Sequence, residues 1–454
     1  MSTEGRKRIA VLMAGLEKEY QRDYADGLRQ AADEHHADLF FFVCQGFPET
    51  ARVVDVHSES RVLFLPRLND FDGVITLSRT FPDRQAVIAL EEQLRQNRQV
   101  RQVFLDVPGD YGTRIGFDDN VSLKSLMAHM LENHGCRRFA LVTGPVGNTV
   151  ADARAAVCRD YITEHGGEVV LTADGSWTET GGRQAALRVL ELSRLPDAVI
   201  CGNDDMALAL IDCLAEHGVR VPQDVLVTGF DATRDAVERG LTTIRRSVRQ
   251  AGMLSVERLL GQENIDGNVL LTTRVLPGTS CGCEACRPQY SREKDAAEQR
   301  FVQQSLLRGV GFTSEMCGTS SLQEAGEVFL KFGRLWGAED FHIVVDPRFF
   351  CAADSGRDGQ LPEQLLLLAG RHKAHSQTCI SFEGRCLLPD LAEREEASAL
   401  AFLPLYYRDR SIGYVAVDLK RASSIAMLPV QTLIDCALTE LAQRMAIRGY
   451  IDTL

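Results

Sequence analysis

Residues 197–214 of the chain read DAVICGNDDMALALIDCL. The apolar run at 198–201 has the length of a strand, the turn at 202–205 is polar, and apolar residues then recur at helical spacing. A wholly apolar strand that leads directly into a helix is typical of a parallel sheet covered by helices on both faces. The stretch therefore predicts an α/β fold, and it raises the question of what the polar turn does.

The same alternation of strand and helix extends over residues 8–280. Apolar runs of strand length occur at 9–13, 38–44, 73–77, 100–107, 138–144, 168–172, 198–202 and 225–230. Amphipathic segments of helical length lie between most of them, at 23–36, 84–97, 120–134, 152–166, 180–193 and 205–217. Two such units in tandem predict two lobes with parallel sheets, and a ligand cleft at the carboxyl ends of the strands.

The flanking segments have a different character. Residues 1–7 are predicted to be a tail, and residues 281–310, polar and then helical, a linker and connector helix. Residues 311–428 predict an α+β domain. It is predicted to begin with a helix at 322–336 and a strand at 341–346. An irregular segment at 347–399 follows, and then two hairpin strands at 400–407 and 412–419. Residues 429–454 carry apolar side chains at three- and four-residue steps, which predicts a helix that dimerises, signals or packs on its own domain.

Composition limits the classes of function. The net charge of -13 over 454 residues argues against nucleic-acid binding as the main function of the chain, because binding of phosphates needs clustered Lys and Arg. The 13 cysteines are an odd number and many lie in apolar runs, which predicts free thiols in a reducing compartment. No apolar run approaches the roughly 18 residues of a membrane helix. A cytoplasmic protein without membrane contact is therefore expected.

The polar turn at 202–205 has two readings from its residue types. Asn and Asp at the start of a helix are preferred N-caps, because their side chains accept the unpaired backbone N–H groups of the first turn. Capping explains one of Asn203, Asp204 and Asp205, but not three polar groups at the carboxyl end of a strand, where open α/β sheets bind ligands. Ligand contact is therefore predicted, and a metal site is disfavoured because no His or further carboxylate lies close in sequence.

Residues 278–286, GTSCGCEAC, raise two further possibilities. Gly278-x-Ser280-x-Gly282 matches the nucleophile elbow of hydrolases, but the elbow needs a helix directly after the serine, and CEACRP follows instead. Cys281, Cys283 and Cys286 are weak metal candidates, because a structural zinc site uses four ligands and the nearest histidine is far along the chain. No metal, no cofactor and no catalytic residue are predicted. The pairs His129/His134 and His372/His375 are predicted to be surface or core residues.

Several motifs within residues 8–280 carry a resemblance to a known family. TRIGFDDN at 113–120 and HGCRRFALVTGP at 134–145 are followed by CGNDDMA at 201–207, LVTGFDATRDA at 226–236 and GLTTIRRSVRQAG at 240–252. In this order and spacing they resemble the ligand-sensing core of the lactose-repressor family, which implies a type 1 periplasmic-binding-protein fold and a small-molecule ligand. The family's helix-turn-helix headpiece is not expected here, because the first sensor strand begins near Arg8. Direct DNA binding is therefore not expected.

The resemblance also implies ligand contacts. Asn203 and Asp204 lie in the family's polar turn, Asp231 matches an acidic residue that binds sugar hydroxyls, and Trp177 matches an aromatic position that stacks on a sugar or base. Arg154 matches an arginine that reaches into the cleft, although Val157 stands where the family has Gly. Asp106 is a further implied contact, a polar residue at the crossover between the lobes. Tyr20 and Arg246 are looser matches to contact positions of the family.

The C-terminal part resembles a signalling protein. Residues 311–428 resemble a GAF-type domain in CLLPD and LAFLPLYYRDRSIGYVAVDL, and the final IDTL resembles the start of a diguanylate cyclase domain. This implies the sensory region of a sensor–GAF–cyclase protein, a homodimer that relays closure of the sensor to an output. The chain contains no GGDEF sequence and is not expected to be an enzyme. The alternatives are a headless transcription regulator that acts through a partner, and a hydrolase or zinc protein at Ser280 and Cys281–Cys286.

Overall fold

The computed structural model divides the chain into two units, which are described separately below. The first unit comprises residues 1–115, 248–269 and 292–454, and the second comprises residues 116–247 and 270–291. Within these limits the structure describes residues 5–16, 18–45, 56–106, 111–261, 267–285, 292–333, 340–351, 362–373, 375–391, 394, 396–408, 410–419 and 427–453. Cys286 and Trp336 lie outside the described residues.

Strands and helices alternate along the sensor part of the chain. The strands are β1 (Arg8–Ala14), β2 (Asp38–Cys44), β3 (Gly73–Thr76), β4 (Arg101–Leu105), β5 (Thr113–Asp118), β6 (Arg138–Thr143), β7 (Glu168–Asp174), β8 (Ala198–Cys201), β9 (Leu226–Thr228), β10 (Thr243–Arg245), β11 (Gly267–Thr272), β12 (Arg274–Leu276), β13 (Phe341–Val345), β14 (Gln364–His372), β15 (His375–Glu383), β16 (Ala399–Tyr407) and β17 (Arg410–Asp418). The helices are α1 (Glu19–Glu34), α2 (Val56–Ser60), α3 (Arg84–Gln96), α4 (Asp119–Ala128), α5 (Thr149–Glu164), α6 (Glu179–Leu190), α7 (Asp204–Glu216), α8 (Arg234–Glu238), α9 (Val248–Leu260), α10 (Arg292–Cys317), α11 (Leu322–Phe332) and α12 (Met427–Thr453).

All eight strands predicted for residues 8–280 are present, and the six predicted helices lie within a few residues of their expected bounds. The prediction missed β5, β10, β11 and β12, of which β10 and β12 are only three residues long. The α/β fold with parallel sheets is confirmed, because β1 pairs in parallel with both β2 and β3, and β6 with both β7 and β8. Central parallel strands such as β1 and β8 are buried on both faces, which is why their apolar residues run continuously rather than alternating.

One sheet of the first unit runs through both its sensor strands and its C-terminal strands. The strand order is β11-β5-β4-β3-β1-β2-β16-β17-β13-β14-β15. The junction is a parallel pairing of β2 with β16, in which Phe42 lies beside Phe402 with their rings stacked at 5.0 Å. Next to it, the Asp38 carboxylate accepts a hydrogen bond from the Ser398 backbone N–H at 2.8 Å. The C-terminal strands thus extend the sensor sheet directly.

The C-terminal strands β13–β17 pair antiparallel with one another. The prediction of irregular chain between the first strand and the late hairpin is wrong, because β14 and β15 form a long hairpin there. Its outer strand β15 is largely exposed and mixes polar with apolar residues, so its sequence lacks a clear strand signal. The separate boundary predicted for residues 311–428 stays a prediction.

The terminal helix α12 has the apolar face that its sequence predicts. The side chains of Val430, Ile434, Leu438 and Leu441 are buried. The helix packs against β16 and α10, and the Asp435 carboxylate accepts the Tyr406 backbone N–H at 3.0 Å. In the part of the chain that the structure describes, no helix combines the length and the apolar composition needed to cross a bilayer.

The second unit is a parallel sheet in the order β7-β6-β8-β9 with helices on both faces. Its two faces bury separate apolar clusters, one centred on Met206 and Leu210 and the other on Phe139 and Phe230. The strand order changes direction at β6, since the chain goes from β6 outward to β7 and then returns to β8 on the other side. Ligands of open α/β sheets bind at such a switch point, outside the carboxyl ends of the strands.

Candidate functional site

The carboxyl ends of β6 and β8 form one edge of the second unit, and Trp177 lies over them. A Cβ atom built on Gly144, directly after β6, would stand 2.1 Å from the Trp177 ring, and one on Gly202, directly after β8, 2.8 Å from it. Glycine at both positions therefore lets the indole lie flat against the strand ends. Trp177 has φ +61°, a left-handed conformation that is uncommon for a non-glycine residue and often marks a functional turn.

Asn203 is the N-cap of α7. Its side-chain oxygen accepts the Met206 backbone N–H at 3.0 Å, and its side-chain nitrogen donates to the Trp177 carbonyl at 3.3 Å. The capping role considered for this residue is therefore present, and the second bond fixes the loop that carries Trp177. Contact between Asn203 and a ligand stays a prediction.

Asp204 has a structural role that differs from the predicted ligand contact. Its side chain is fully buried. One carboxylate oxygen accepts from the Thr243 hydroxyl at 2.6 Å and the other from the Thr233 backbone N–H at 2.7 Å. Burial raises its pKa well above the ordinary value, with the neighbouring Asp231 acting in the same direction. Asp204 thus ties two loops to the start of α7 from inside the protein.

Two arginines and one carboxylate form a network beside this turn. The Arg246 guanidinium binds the Asp119 carboxylate through two nitrogens, one of them at 3.0 Å. Arg154 donates to the same carboxylate at 3.3 Å and to the Gly202 carbonyl at 3.1 Å. The side chains of Arg154 and Arg246 are only 11% and 7% exposed. The network therefore fixes two positive charges at the carboxyl end of β8.

Aromatic rings lie under both guanidinium groups. The Arg154 guanidinium carbon stands 3.6 Å from the centroid of the Phe230 ring, and that of Arg246 stands 4.7 Å from the Phe117 ring. Both distances are within the range of a cation–π interaction. Stacking on rings and ion pairing together leave the two guanidinium groups little rotational freedom, so they form a preorganised polar surface.

Asp231 follows β9 and lies near both arginines. Its backbone has φ +107°, and its N–H donates to the Ile244 carbonyl at 2.9 Å. Burial raises the pKa of Asp231 to about 6, although Arg154 and Arg246 act in the opposite direction. A carboxyl group that titrates near neutral pH at the edge of a sheet is a recognised marker of a functional site.

The pKa of Asp231 predicts a pH dependence of stability. Because its folded pKa of about 6 lies above the value of about 3.9 in an unfolded chain, the protonated form is favoured by folding. The stabilisation is fully present below about pH 4 and is lost as the pH rises through about 6. In urea unfolding between pH 4 and 7, Asp231→Asn is expected to flatten this fall in the free energy of unfolding. An unchanged slope would show that Asp231 titrates normally.

The second unit encloses little space of its own at this edge. The cavity lined by Arg154, Trp177, Gly202 and Phe230 has a volume of about 30 Å³. That is room for about one water molecule. This cavity is therefore too small to enclose a molecule of the size of a sugar.

The structure brings together five of the eight predicted ligand residues in the second unit: Arg154, Trp177, Asn203, Asp231 and Arg246. Asp204 lies beneath them. Tyr20, in the first turn of α1, and Asp106, directly after β4 with φ +57°, belong to the first unit. Their roles as ligand contacts stay predictions.

Asp119, Phe117 and Phe230 were not identified from the sequence as site residues. The signal for Asp119 was present, because Asp119 and Asn120 follow the strand β5 as the polar turn follows β8. The aromatic residues gave no such signal, since a phenylalanine in a strand or turn is usually a core residue.

The hydrolase alternative at Ser280 is not supported by the geometry. The hydroxyl of Ser280 is buried, accepts the Thr242 backbone N–H at 2.8 Å and donates to the Val227 carbonyl at 2.6 Å. The residue lies in a short 3-10 turn (Thr279–Cys281) and not at the start of a helix. Ser280 therefore holds the strand end in place, and the resemblance to a nucleophile elbow is confined to the sequence.

Comparison with known proteins agrees with this fold. Residues 128–281 match the family described as a periplasmic binding protein-like domain. The lactose operon repressor of Escherichia coli strain K12 is 33% identical over 166 residues, which are 35% of this chain and 43% of the repressor. The transcriptional repressor PurR of Erwinia tasmaniensis is 29% identical over 198 residues, 42% of this chain and 56% of that protein. This chain thus matches about half the length of these relatives.

Solved structures extend the similarity across the sensor part. A dimeric Lac repressor with a C-terminal deletion is 26% identical, covers 60% of this chain and 98% of its own, and gives a TM-score of 0.51. A Lac repressor dimer bound to operator and the anti-inducer ONPF is also 26% identical. It covers 61% of this chain and 95% of its own, with a TM-score of 0.51. The chain therefore carries a periplasmic-binding-protein-like sensor domain similar to that of the lactose repressor. These relatives are named as transcriptional repressors and not as enzymes.

Proposed function

We propose that this chain is a regulatory protein whose sensor domain binds a small polar ligand, of the sugar class, at the edge formed by the carboxyl ends of β6 and β8. The observation that carries the proposal is the network of Arg154 and Arg246 on Asp119, held rigidly next to Trp177. The network lies at the switch point of the parallel sheet, and open α/β folds bind their ligands at such a point. Preorganised polar groups lower the entropic cost of binding.

The chemistry of the edge fits a hydroxylated ring. Guanidinium groups bind oxygen acceptors, and the Asp231 carboxylate, once ionised, accepts hydrogen bonds from hydroxyl groups. The indole of Trp177 offers an apolar plate against which the face of a ring can pack. Sites of this kind combine a few convergent polar groups with aromatic surface.

The relatives favour transcription as the output. The lactose repressor and PurR are both named as repressors, and one solved relative is a dimer bound to operator and a small molecule. We therefore favour a homodimeric, cytoplasmic transcription regulator that responds to its ligand and acts together with a partner protein. Co-purification of a DNA-binding protein, changed by the ligand, would support this output.

A second candidate is the sensory region of a diguanylate cyclase, with a GAF-like domain as the transmitter. The observation that favours it is the direct pairing of β2 with β16, on which α12 packs. Movement of the sensor sheet would then reach α12 without a flexible connection. Ligand-dependent hydrogen exchange in α12 tests this relay, because a relay changes the protection of α12 and an isolated sensor does not.

The ligand site is tested with Asp231→Ala. A thermal-shift panel of sugars, sugar phosphates, nucleosides and purines is applied to the wild-type chain and to the variant. A ligand at about a hundredfold excess over its dissociation constant stabilises the native state by about 2.7 kcal/mol, which raises the melting temperature. We expect the shift to be lost in Asp231→Ala, because the variant removes an acceptor for ligand hydroxyl groups.

The matched control for this experiment is Asp160→Ala. Asp160 lies on the exposed face of α5, so its removal takes away the same charge from the surface of the same unit. The control is expected to keep the full shift. A shift that is the same size in Asp231→Ala as in Asp160→Ala would contradict the proposed site.

A further inference from the structure

Two histidines of the second unit converge with two of the three cysteines that the sequence offered as weak metal candidates. The metal-ligating atoms of His129, His134, Cys281 and Cys283 all lie within 4.8 Å of one another. The two imidazole Nε2 atoms are 3.1 Å apart. The Cys283 Sγ lies 3.5 Å from each of them, and the Cys281 Sγ lies 3.7 Å from that of His129.

These distances are the edges of a metal-centred tetrahedron. Zinc binds Cys sulfur at about 2.3 Å and His nitrogen at about 2.05 Å, so a tetrahedral site has sulfur–nitrogen edges of about 3.6 Å and a nitrogen–nitrogen edge of about 3.3 Å. The observed separations of 3.5, 3.5 and 3.7 Å between sulfur and nitrogen match the first value. The separation of 3.1 Å between the two nitrogens is close to the second.

Local structure explains how the histidines come to face one another. His129 and His134 are five residues apart, which in an α-helix places them about 140° apart around the axis. The chain here leaves α4 in a π-helical turn (His129–Asn133). The wider turn of a π-helix brings residues i and i+5 to the same face, and single π-turns are frequent at functional sites. The sequence analysis took both histidines for surface or core residues, and the structure shows them half-buried with their Nε2 atoms in contact.

The two cysteines are brought together by the glycine between them. Gly282 has φ +85°, a left-handed conformation that glycine adopts without strain. This reversal lets both Cys281 and Cys283 direct sulfur toward the Nε2 atom of His129. The third cysteine of the sequence motif, Cys286, lies outside the described residues, and the four ligands are complete without it.

Hydrogen bonding alone does not account for the cluster. The Nε2 atom of His129 approaches three polar atoms at once, whereas a neutral imidazole nitrogen is either one donor or one acceptor. Burial, followed by the neighbouring His134, lowers the pKa of His129. Burial and the adjacent Cys281 raise the pKa of Cys283 to about 11. A bound dication reverses this effect and favours the thiolate.

We propose that His129, His134, Cys281 and Cys283 bind one Zn²⁺ ion in a closed structural site. The mixed nitrogen and sulfur donors in tetrahedral array select zinc among the available divalent metals. Four protein ligands leave no position for substrate, so the site is not catalytic. The ion joins the end of α4 to residues 281–283. Only residues 284 and 285 follow them in the described part of the second unit. The ion therefore fixes the chain where it leaves this unit before α10.

Metal content of the purified chain tests the proposal directly. The full chain is incubated with Zn²⁺ under reducing conditions, desalted and analysed by mass spectrometry of metals. About one zinc per chain is expected for the wild type, and clearly less after desalting for Cys283→Ser and for His134→Ala, which each remove one of the four ligands. Cys317→Ser and His165→Ala, which remove an exposed thiol and an exposed imidazole elsewhere, are expected to keep the metal. Cys286→Ser is also expected to keep it.

Two further readouts do not depend on the variants being folded. Co²⁺ bound to the wild-type chain is expected to show the visible bands of a tetrahedral site and a thiolate-to-metal band in the near ultraviolet. A chelator is expected to lower the melting temperature, because the native state loses its bound ion. A wild-type chain without zinc after loading would overturn the proposal. Zinc retained by Cys283→Ser, or lost from Cys286→Ser, would overturn the assigned ligands.

Discussion

Replacing Asp119 with alanine is expected to lower the free energy of unfolding by about 3 kcal/mol, because it leaves two enclosed guanidinium groups without their shared carboxylate. Asp119 is 13% exposed and bonds both Arg154 and Arg246. Removing one partner of a buried ion pair is costly, whereas an exposed pair contributes little. The same substitution frees both arginines to move, so the ligand-induced rise in melting temperature is expected to disappear as well.

Chemical denaturation of the wild type, Asp119→Ala and Glu216→Ala measures this effect. Glu216 forms a bidentate pair with Arg183 on the surface of the second unit, so it is a carboxylate–arginine pair of similar geometry but without burial. Its removal is expected to leave the unfolding midpoint nearly unchanged. If Asp119→Ala were as mild as Glu216→Ala, the network would not be the rigid centre of the site.

Replacing Phe42 with alanine is expected to cost about 3–5 kcal/mol of the free energy of unfolding. Phe42 is fully buried in β2, stacks on Phe402 of β16, and meets the Phe71 ring edge-on at 6.1 Å. Truncation opens a cavity at the junction of the sensor strands with the C-terminal strands. The expected consequence is loss of cooperativity between these two parts of the first unit.

A double-mutant cycle of Phe42→Ala and Phe402→Ala tests whether the junction couples the two sets of strands. An interaction free energy of about 0.5–1.5 kcal/mol is expected for the stacked pair, beyond the sum of the single losses. Phe64→Ala is the control, because that ring is 38% exposed and its loss is expected to be small. Additive losses, or unchanged unfolding of Phe42→Ala, would show that the two sets of strands are stabilised independently.

Local patterns in the sequence accounted for most of the sensor fold. The strands β1, β2, β6 and β8 are recognisable because burial on both faces makes their central residues continuously apolar. The cap at Asn203 followed from the preference of Asn for the first position of a helix. These features depend on neighbours in sequence, and for that reason one sequence is enough to find them.

Features that depend on distant segments were not predictable. Nothing in the residues of β2 or β16 indicates that these two strands pair, because a continuous apolar run marks a buried strand but does not name its partner. The Cys2His2 cluster needs the π-turn at His129–Asn133 to meet the turn at Thr279–Cys281. The cysteine spacing gave a weak signal, but no spacing joins it to histidines about 150 residues earlier. Likewise the internal hydrogen bonds of Asp204 to Thr233 and Thr243 were not predicted, since burial is not visible in a motif. Its role as a ligand contact stays a prediction.

The most direct test of the proposed ligand site is hydrogen exchange, followed by mass spectrometry, with the compound of the panel that raises the melting temperature most. The account predicts that protection increases in the peptides that contain Asp119, Arg154, Asp231 and Arg246, and that Asp231→Ala abolishes the increase. Protection that left all four of these peptides unchanged while the compound still stabilised the chain would contradict it, because the ligand would then bind elsewhere.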